Sequence, residues 1–336
     1  MNTDWSAFLA ARGTPGANGD TATDCTRYDL SHLGLIAVQG ADADGFLQGQ
    51  LTNDIRTLSA TQCQLTAHCS PKGRMLDLFL ALRLPAGIGL QLPRERVAPA
   101  LKRLGLYVLR SKVTLVDHSD GPVRIGLAGT GAPRELERRG LPVPEGDFAA
   151  VAADGVTVAR LPGTAPRFEL IAECARQIDL WDALAPVCAW GDADDWARLD
   201  LRAGIPSVYT ATSEAFVPQM ANLQLLNGVS FTKGCYTGQE VVARMQYLGT
   251  LKRRMYWAEV QTQTPPQPGD ALESPASTSE QGAGRVVDAR RSGEGRYELL
   301  AVVEIAAAET GEVRLGADGP QLKLQAPPDG FLAAAG

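Results

Sequence analysis

The segment 233–240, K-G-C-Y-T-G-Q-E, combines one thiol, one basic side chain, two glycines and one carboxylate. Its T-x-x-E part fits a capping box, which predicts a helix with Thr237 as its N-cap. Free N–H groups at a helix start, together with the cations of Lys233 and Arg244, would favour a thiolate at Cys235. Because the thiolate is the reactive form, Cys235 is the first candidate for chemistry.

A structural role for Cys235 in a capped turn is the alternative interpretation. The three histidines, His32, His68 and His118, are all distant from Cys235 in sequence. The sequence therefore offers no adjacent base for a Cys-His pair, although a histidine could approach in the folded chain.

A second candidate segment is 69–77, C-S-P-K-G-R-M-L-D. Its P-K-G turn presents Lys72 and Arg74 together, which would suit an anionic ligand. A plain hairpin turn between two strands is the competing interpretation.

The third segment, 217–234, places amide side chains in an otherwise apolar stretch, among them Asn222 and Gln224. Buried amides need hydrogen-bond partners. They could recognise the edge of a heteroaromatic ring or satisfy the backbone of a loop, and the residue types leave both open. Together the three segments predict a pocket with amide donors, basic groups and one activated cysteine.

Hydrophobic periodicity predicts the elements that position these segments. The first part of the chain shows the order strand, helix, strand, strand, strand, helix, strand, over 33–40, 42–51, 62–69, 74–84, 88–93, 94–107 and 112–118. A second stretch of similar style follows up to a helix over 192–206, and short strands between Pro- and Gly-rich turns fill the C-terminal part. This pattern predicts an α+β fold with antiparallel sheets and a small C-terminal β-barrel or sandwich.

We expect three regions: a mobile N-terminal tail over 1–24, an α+β region over 25–249 with an internal boundary near 120, and the β-barrel over 250–336. The 336 residues carry a net charge of -6 and lack a long basic block, which disfavours nucleic-acid binding by a basic face. No apolar run is long enough to span a membrane, and no secretory signal is evident. We therefore expect a cytoplasmic protein with reduced thiols at its six cysteines.

The run F-T-K-G-C-Y-T-G-Q-E-V-V-A-R-M-Q-Y-L-G-T-L-K-R-R resembles the signature of the YgfZ folate-binding proteins, which are related to the glycine-cleavage T-protein, an aminomethyltransferase. Further similar stretches, such as D-L-S-H-L-G-L-I-A-V-Q-G, C-S-P-K-G-R-M and R-L-D-L-R-A-G-I-P-S-V, extend the resemblance over nearly the whole chain. The resemblance implies a three-part, ring-like fold of the T-protein type with two interleaved α+β subdomains.

The same resemblance implies a pocket for tetrahydrofolate and a role in the assembly or repair of iron–sulfur clusters in client enzymes, including enzymes of tRNA modification. It makes Cys235 the functional centre with Lys233 beside it, and places Glu169 at the pterin edge. Lys72 and Arg74 would face the anionic tail of the folate, while Asn222, Gln224 and Arg244 would complete the pocket. The expected partners are iron–sulfur enzymes or cluster-assembly proteins.

One departure from the T-protein pattern concerns the acid that performs its chemistry. Aligned by the glycine turn, the stretch K-G-R-M-L-D puts Leu76 where the first of two aspartates is expected, and only Asp77 remains. A leucine cannot accept a proton. The sequence therefore favours a folate-binding accessory protein over a folate-dependent one-carbon transferase. A third hypothesis, a cluster carrier, has only a lone thiol motif in its favour.

Overall fold

The structure, a computed structural model, describes residues 2–16, 24–85, 87–280 and 282–325. Its helices are α1 (Thr3–Ala10), α2 (Ala43–Gln48), α3 (Val97–Gly105), α4 (Ala132–Glu137), α5 (Cys174–Leu184), α6 (Ala193–Arg202), α7 (Gln239–Tyr247) and α8 (Ile305–Thr310). Short 3-10 turns occupy Ile55–Thr57, Arg94–Arg96, Thr210–Thr212 and Pro218–Ala221.

The strands build three sheets among the described residues. They are β1 (Thr26–Asp29), β2 (Leu33–Gln39), β3 (Gln64–Cys69), β4 (Met75–Leu84), β5 (Gly87–Pro93), β6 (Thr114–Asp117), β7 (Val123–Ala128), β8 (Ala150–Ala153), β9 (Val156–Leu161), β10 (Arg167–Ala172), β11 (Ala189–Gly191), β12 (Arg253–Gln261), β13 (Ala271–Glu273), β14 (Gly284–Gly293), β15 (Arg296–Glu304), β16 (Arg314–Leu315) and β17 (Lys323–Gln325).

One sheet has the order β3-β4-β5-β2-β6, and a second has the order β11-β1-β7-β10-β9-β8. Strand β1 pairs antiparallel with β7, β7 with β10, and β2 with β5, whereas β1 and β11 run parallel. The third sheet, β16-β13-β14-β15-β12-β17, forms a curled half-barrel. The predicted α+β class, with a β structure at the C-terminal end, is confirmed.

The chain divides into two compact units. The first unit comprises the described residues within 1–46, 56–64 and 80–196, and the second comprises those within 47–55, 65–79 and 197–336. The predicted region boundaries near residues 120 and 250 stay predictions.

The N-terminal segment differs in part from the expected mobile tail. Residues Thr3–Ala10 form α1, and the Trp5 side chain is fully buried. Its ring packs edge-on against Trp181 at 5.5 Å, and its indole N–H donates to the Asp29 carboxylate at 2.8 Å. A buried tryptophan whose N–H has a hydrogen-bond partner stabilises a docked helix. The sequence did not predict this helix, because a polar stretch follows it directly. Residues 17–23 of the predicted tail lie outside the described residues.

Candidate functional site around Cys235

Cys235 lies on an exposed loop that leads into α7. The predicted capping box is wrong: the N-cap of α7 is Gly238, one residue after Thr237, and no side chain caps the helix. Gly238 has φ 85° and ψ 0°, a left-handed conformation that glycine adopts at little cost. The turn at Gly238 leads straight into the helix, so α7 begins one residue later than the T-x-x-E pattern predicts.

The Lys233 side chain is buried and points away from solvent. Its ammonium donates to the backbone oxygens of Leu51 at 2.6 Å and Asn53 at 2.8 Å. It also lies 5.2 Å from the centre of the Tyr236 ring, within cation–π range. Lys233 therefore joins the cysteine loop to segment 51–53, and two of its ammonium protons are held by carbonyls.

The turn of the second candidate segment packs against the start of α7. A Cβ atom built on Gly238 would lie 2.4 Å from the backbone oxygen of Ser70, and one on Gly73 would lie 2.8 Å from the Val241 Cβ. Separations this short leave room only for glycine on both sides. The structure thus brings the P-K-G turn and the cysteine motif together within the second unit.

The two cations of that turn behave differently. Lys72 is exposed, as is Arg244 on α7. Arg74 is half-buried, and its guanidinium donates to the backbone oxygens of Ala215 at 2.6 Å and Glu214 at 3.3 Å. Arg74 thereby fixes a neighbouring loop, and its expected contact with a folate tail stays a prediction.

The amide-rich segment divides its hydrogen-bonding groups between two uses. The NH₂ groups of Gln219 and Asn222 donate to the backbone oxygens of Val242 at 2.7 Å and Met255 at 2.9 Å. The side-chain oxygens of Gln219, Asn222 and Gln224 are buried, and none has a hydrogen-bond partner in the described part of the chain. The donors therefore satisfy backbone, while three acceptors are available to a ligand that carries N–H groups.

The motifs in the sequence did not indicate a pair of buried polar residues near Lys233. His68 and Asp77 are both buried, with 3.9 Å between the His68 Nδ1 and the Asp77 Oδ2. His68 forms a β-bridge with Leu51, whose carbonyl accepts from Lys233. Neither ring nitrogen of His68 has a hydrogen-bond partner among the described residues. Every residue of β3 is buried, and the alternation of its sequence puts His68 on the same face as Gln64 and Thr66, so the sequence pattern gave no signal for this pair.

Glu169 lies in the first unit, on β10, with no exposed surface. The Gln91 amide donates to the Glu169 Oε2 at 2.9 Å, and the Gln91 Oε1 is buried without a hydrogen-bond partner among the described residues. Pterins present N–H donors along one edge. A carboxylate beside an unfilled amide acceptor has the chemistry to receive such an edge, as the pterin implied by the family resemblance would require.

The six cysteines occupy four different environments. Cys25 and Cys188 form a disulfide with Cα atoms 4.7 Å apart, so the expectation of six reduced thiols is wrong for this pair. These residues are 163 positions apart, and only the fold brings them into bonding distance. Burial raises the pKa of both Cys63 and Cys69 to about 12, with the Glu169 charge adding to the effect at Cys63.

Cys174 is half-buried, and burial raises its pKa as well. Cys235 is thus the one exposed free thiol, since all six cysteines lie within the described residues.

The residues that the structure describes contain no group of three His, Cys, Asp or Glu side chains arranged to hold a metal ion. No helix in them is long and apolar enough to cross a membrane.

Comparison with known proteins finds close relatives in bacteria. The chain is 34% identical over 278 residues to the tRNA-modifying protein YgfZ of Yersinia pseudotuberculosis serotype O:1b (strain IP 31758), covering 83% of this chain and 84% of the relative. It is 33% identical over 302 residues to the tRNA-modifying protein YgfZ of Pectobacterium carotovorum subsp. carotovorum (strain PC1), covering 89% and 90%. No family model matches the chain.

Among solved structures, the fold is similar to that of the glycine cleavage system aminomethyltransferase T from Bartonella henselae. The TM-score is 0.65 over 91% of this chain and 86% of the other, at 19% sequence identity. At this identity the likeness establishes the fold and leaves the activity to be argued from the residues.

Proposed function

The chain belongs to the YgfZ family, and from that membership we propose that it is a tetrahydrofolate-binding accessory protein for iron–sulfur enzymes, including enzymes that modify tRNA. Cys235 is its working thiol. The observation that carries this proposal is the exposure of Cys235, alone among the free cysteines, on a loop fixed from both sides. A thiol that only filled a turn would gain nothing from such exposure, because unpaired cysteines are among the most buried side chains.

Buried acceptors in the first unit support a folate. In the first unit, Glu169 and the unfilled Gln91 Oε1 would hold the N–H edge of a pterin. When bound, tetrahydrofolate supplies a carrier for one-carbon units, while the protein supplies binding and orientation.

Lys233 acts on Cys235 indirectly. Its buried ammonium holds the loop to the backbone of Leu51 and Asn53, so it positions the thiol. The predicted direct chemical role of Lys233 is replaced in this proposal by a positioning role.

The test uses cells that lack the gene and measures a tRNA modification made by an iron–sulfur enzyme. Wild type, Cys235→Ala and Cys174→Ala are each supplied back, the last as a matched control at the half-buried free thiol. We expect wild type and Cys174→Ala to restore the modification and Cys235→Ala to fail. Equal rescue by all three would reduce Cys235 to a turn residue and refute the proposal.

Folate binding is tested separately by calorimetry with tetrahydrofolate. We expect Glu169→Gln to weaken binding by about 10-fold or more, because a buried carboxylate that pairs with N–H donors is worth at least 1.4 kcal/mol. Undiminished binding would remove Glu169 from the site.

A folate-dependent one-carbon transferase is the second candidate, and the fold likeness to an aminomethyltransferase favours it. Leu76 argues against it, because its side chain cannot transfer a proton at the position expected for the acid. The buried Asp77 next to it is the only carboxylate left for that role in the motif. Turnover of 5,10-methylenetetrahydrofolate by the wild type, abolished in Asp77→Asn, would establish this candidate.

A further inference from the structure

Helix α7 and the residue after it expose apolar side chains next to the Cys235 loop. Tyr247 is 67% exposed, Leu248 84% and Val241 37%. The described residues contain six exposed large hydrophobic side chains, and these are three of them. Grouped apolar exposure is typical of a surface that another molecule covers. We call these three residues the α7 surface.

The α7 surface and Cys235 are neighbours along one loop and helix. The Phe231 ring packs edge-on against Tyr247, the last residue of α7, with 6.0 Å between ring centres. Gly238 caps the other end of the helix. The segment from Phe231 to Gly238 therefore runs back along α7, and the exposed Cys235 lies within it. A molecule seated on the α7 surface would lie beside the thiol.

The charges around the α7 surface have one dominant sign. Over residues 239–252 the exposed charged side chains are Arg244 and Lys252 against Glu240, and Lys72 is exposed in the turn whose Gly73 lies against Val241. The chain as a whole carries a net charge of -6, so this region is locally opposite to the average. Complementary charge steers partners and fixes their orientation. The local excess of cations favours an acidic partner.

We propose that the α7 surface is the docking site for a protein partner that presents an apolar spot edged by Asp or Glu side chains. Leu248 and Val241 offer aliphatic contact that a protein uses and a nucleic-acid backbone does not, and Tyr247 supplies an aromatic anchor of the kind enriched at protein interfaces. Docking brings the partner's polypeptide against Cys235. The inference rests on the proposed function, because that function makes the partner an iron–sulfur enzyme.

The experiment measures binding of the full-length protein to a purified iron–sulfur enzyme that modifies tRNA. The variants are the double change Tyr247→Ser with Leu248→Ser, and Arg244→Glu. Leu109→Ser is the matched control, because Leu109 is 87% exposed and lies in the other unit. We expect the double variant to weaken the Kd by about 10-fold or more, since exposed aromatic and aliphatic anchors dominate interface energetics.

Further outcomes separate the possible occupants. Arg244→Glu should weaken binding and make it less sensitive to salt, while Leu109→Ser should bind like wild type. Equal binding by all variants, or no binding by wild type, would overturn the proposal. So would a tRNA transcript whose binding depends on Tyr247 and Leu248, or a dimer of this chain in sedimentation that the double variant abolishes.

The cell assay distinguishes failure of this inference from failure of the proposed function. If the double variant rescues tRNA modification while Cys235→Ala does not, the docking site is wrong and the role of the thiol stands. If Cys235→Ala also rescues, the proposed function itself is wrong. A rate of thiol labelling at Cys235 equal to that of wild type confirms that the loop has kept its structure in the double variant.

Discussion

Gly238 and Ser70 pack so closely that a Cβ atom on Gly238 would lie 2.4 Å from the Ser70 backbone oxygen. Gly238 also has φ 85°, in the left-handed region. The contact joins the P-K-G turn to the loop of Cys235, so two segments far apart in sequence form one structure. Both the space and the backbone angle require glycine at this point.

We predict that Gly238→Ala destabilises the protein by about 2 kcal/mol or more, because a non-glycine residue at positive φ is strained and the new methyl group meets backbone atoms. The free energy of unfolding in urea measures this effect. The Cys235 loop should also label faster with iodoacetamide, since its connection to α7 is disturbed.

Gly234→Ala is the matched control for that change. A Cβ atom at Gly234 would have no neighbour within 4 Å. We expect its free energy of unfolding to stay within about 0.5 kcal/mol of wild type, as for most open surface positions. Equal effects of the two substitutions would mean that the contact with Ser70 is not a constraint.

Replacing Lys233 with Met should leave the Leu51 and Asn53 carbonyls without their donor. A buried group that loses its partner costs about 1–3 kcal/mol, so we expect a loss of stability in this range. Lys72→Met, at an exposed lysine in the neighbouring turn, should change stability little. A Lys233→Met protein as stable as wild type, yet inactive in tRNA modification, would return Lys233 to a direct chemical role.

Iodoacetamide at pH 8 should modify Cys235 first in the native protein. Cys63 and Cys69 are buried with pKa values raised to about 12, so only about one thiol in ten thousand is ionised at each site. Cys174 should react slowly, because it is half-buried and its pKa is raised. Mass spectrometry of timed samples gives the order, and the same reaction in guanidinium should label all four. Rapid native labelling of Cys63 or Cys69 would contradict the burial of these two thiols.

Stability should depend on pH through Asp288. Burial raises the pKa of Asp288 to about 6 from its ordinary 3.8, despite its contacts with Arg290 and the Tyr209 hydroxyl. Between these values the unfolded chain ionises while the folded one stays protonated, so the free energy of unfolding should fall as pH rises from about 4 to about 6. Because one pKa unit is worth about 1.4 kcal/mol, we expect a loss of about 3 kcal/mol from this group.

The contribution is read as a difference between variants, since other carboxylates also titrate in this range. Urea unfolding is measured at pH 4, 5, 6 and 7. In Asp288→Asn the free energy of unfolding should lack the decrease between pH 4 and pH 6 that this carboxyl causes in wild type. Asp318→Asn, at an exposed carboxyl in the same unit, should follow the wild-type profile. If Asp288→Asn runs parallel to wild type at every pH, the carboxyl is not a raised acid.

Local patterns were sufficient for most of the secondary structure. The alternating and continuous apolar runs predicted β2, β4 and β5 within a few residues of their observed ends, and the helix over 192–206 corresponds to Ala193–Arg202. These predictions succeed because burial on one face of a helix or strand makes apolar residues recur at a fixed spacing, which is visible within a short stretch of sequence. The start of α7 was misplaced, because the choice between Thr237 and Gly238 depended on the contact with Ser70.

The sequence by itself determined the α+β class and the family, since these follow from local periodicity and one specific motif. Only the tertiary structure turned Lys233 inward onto Leu51 and Asn53, and only it paired Cys25 with Cys188. Each of these partners comes from a distant part of the chain. Residue type and spacing carry no information about such distant neighbours, because the packing of the whole core decides which of them meet.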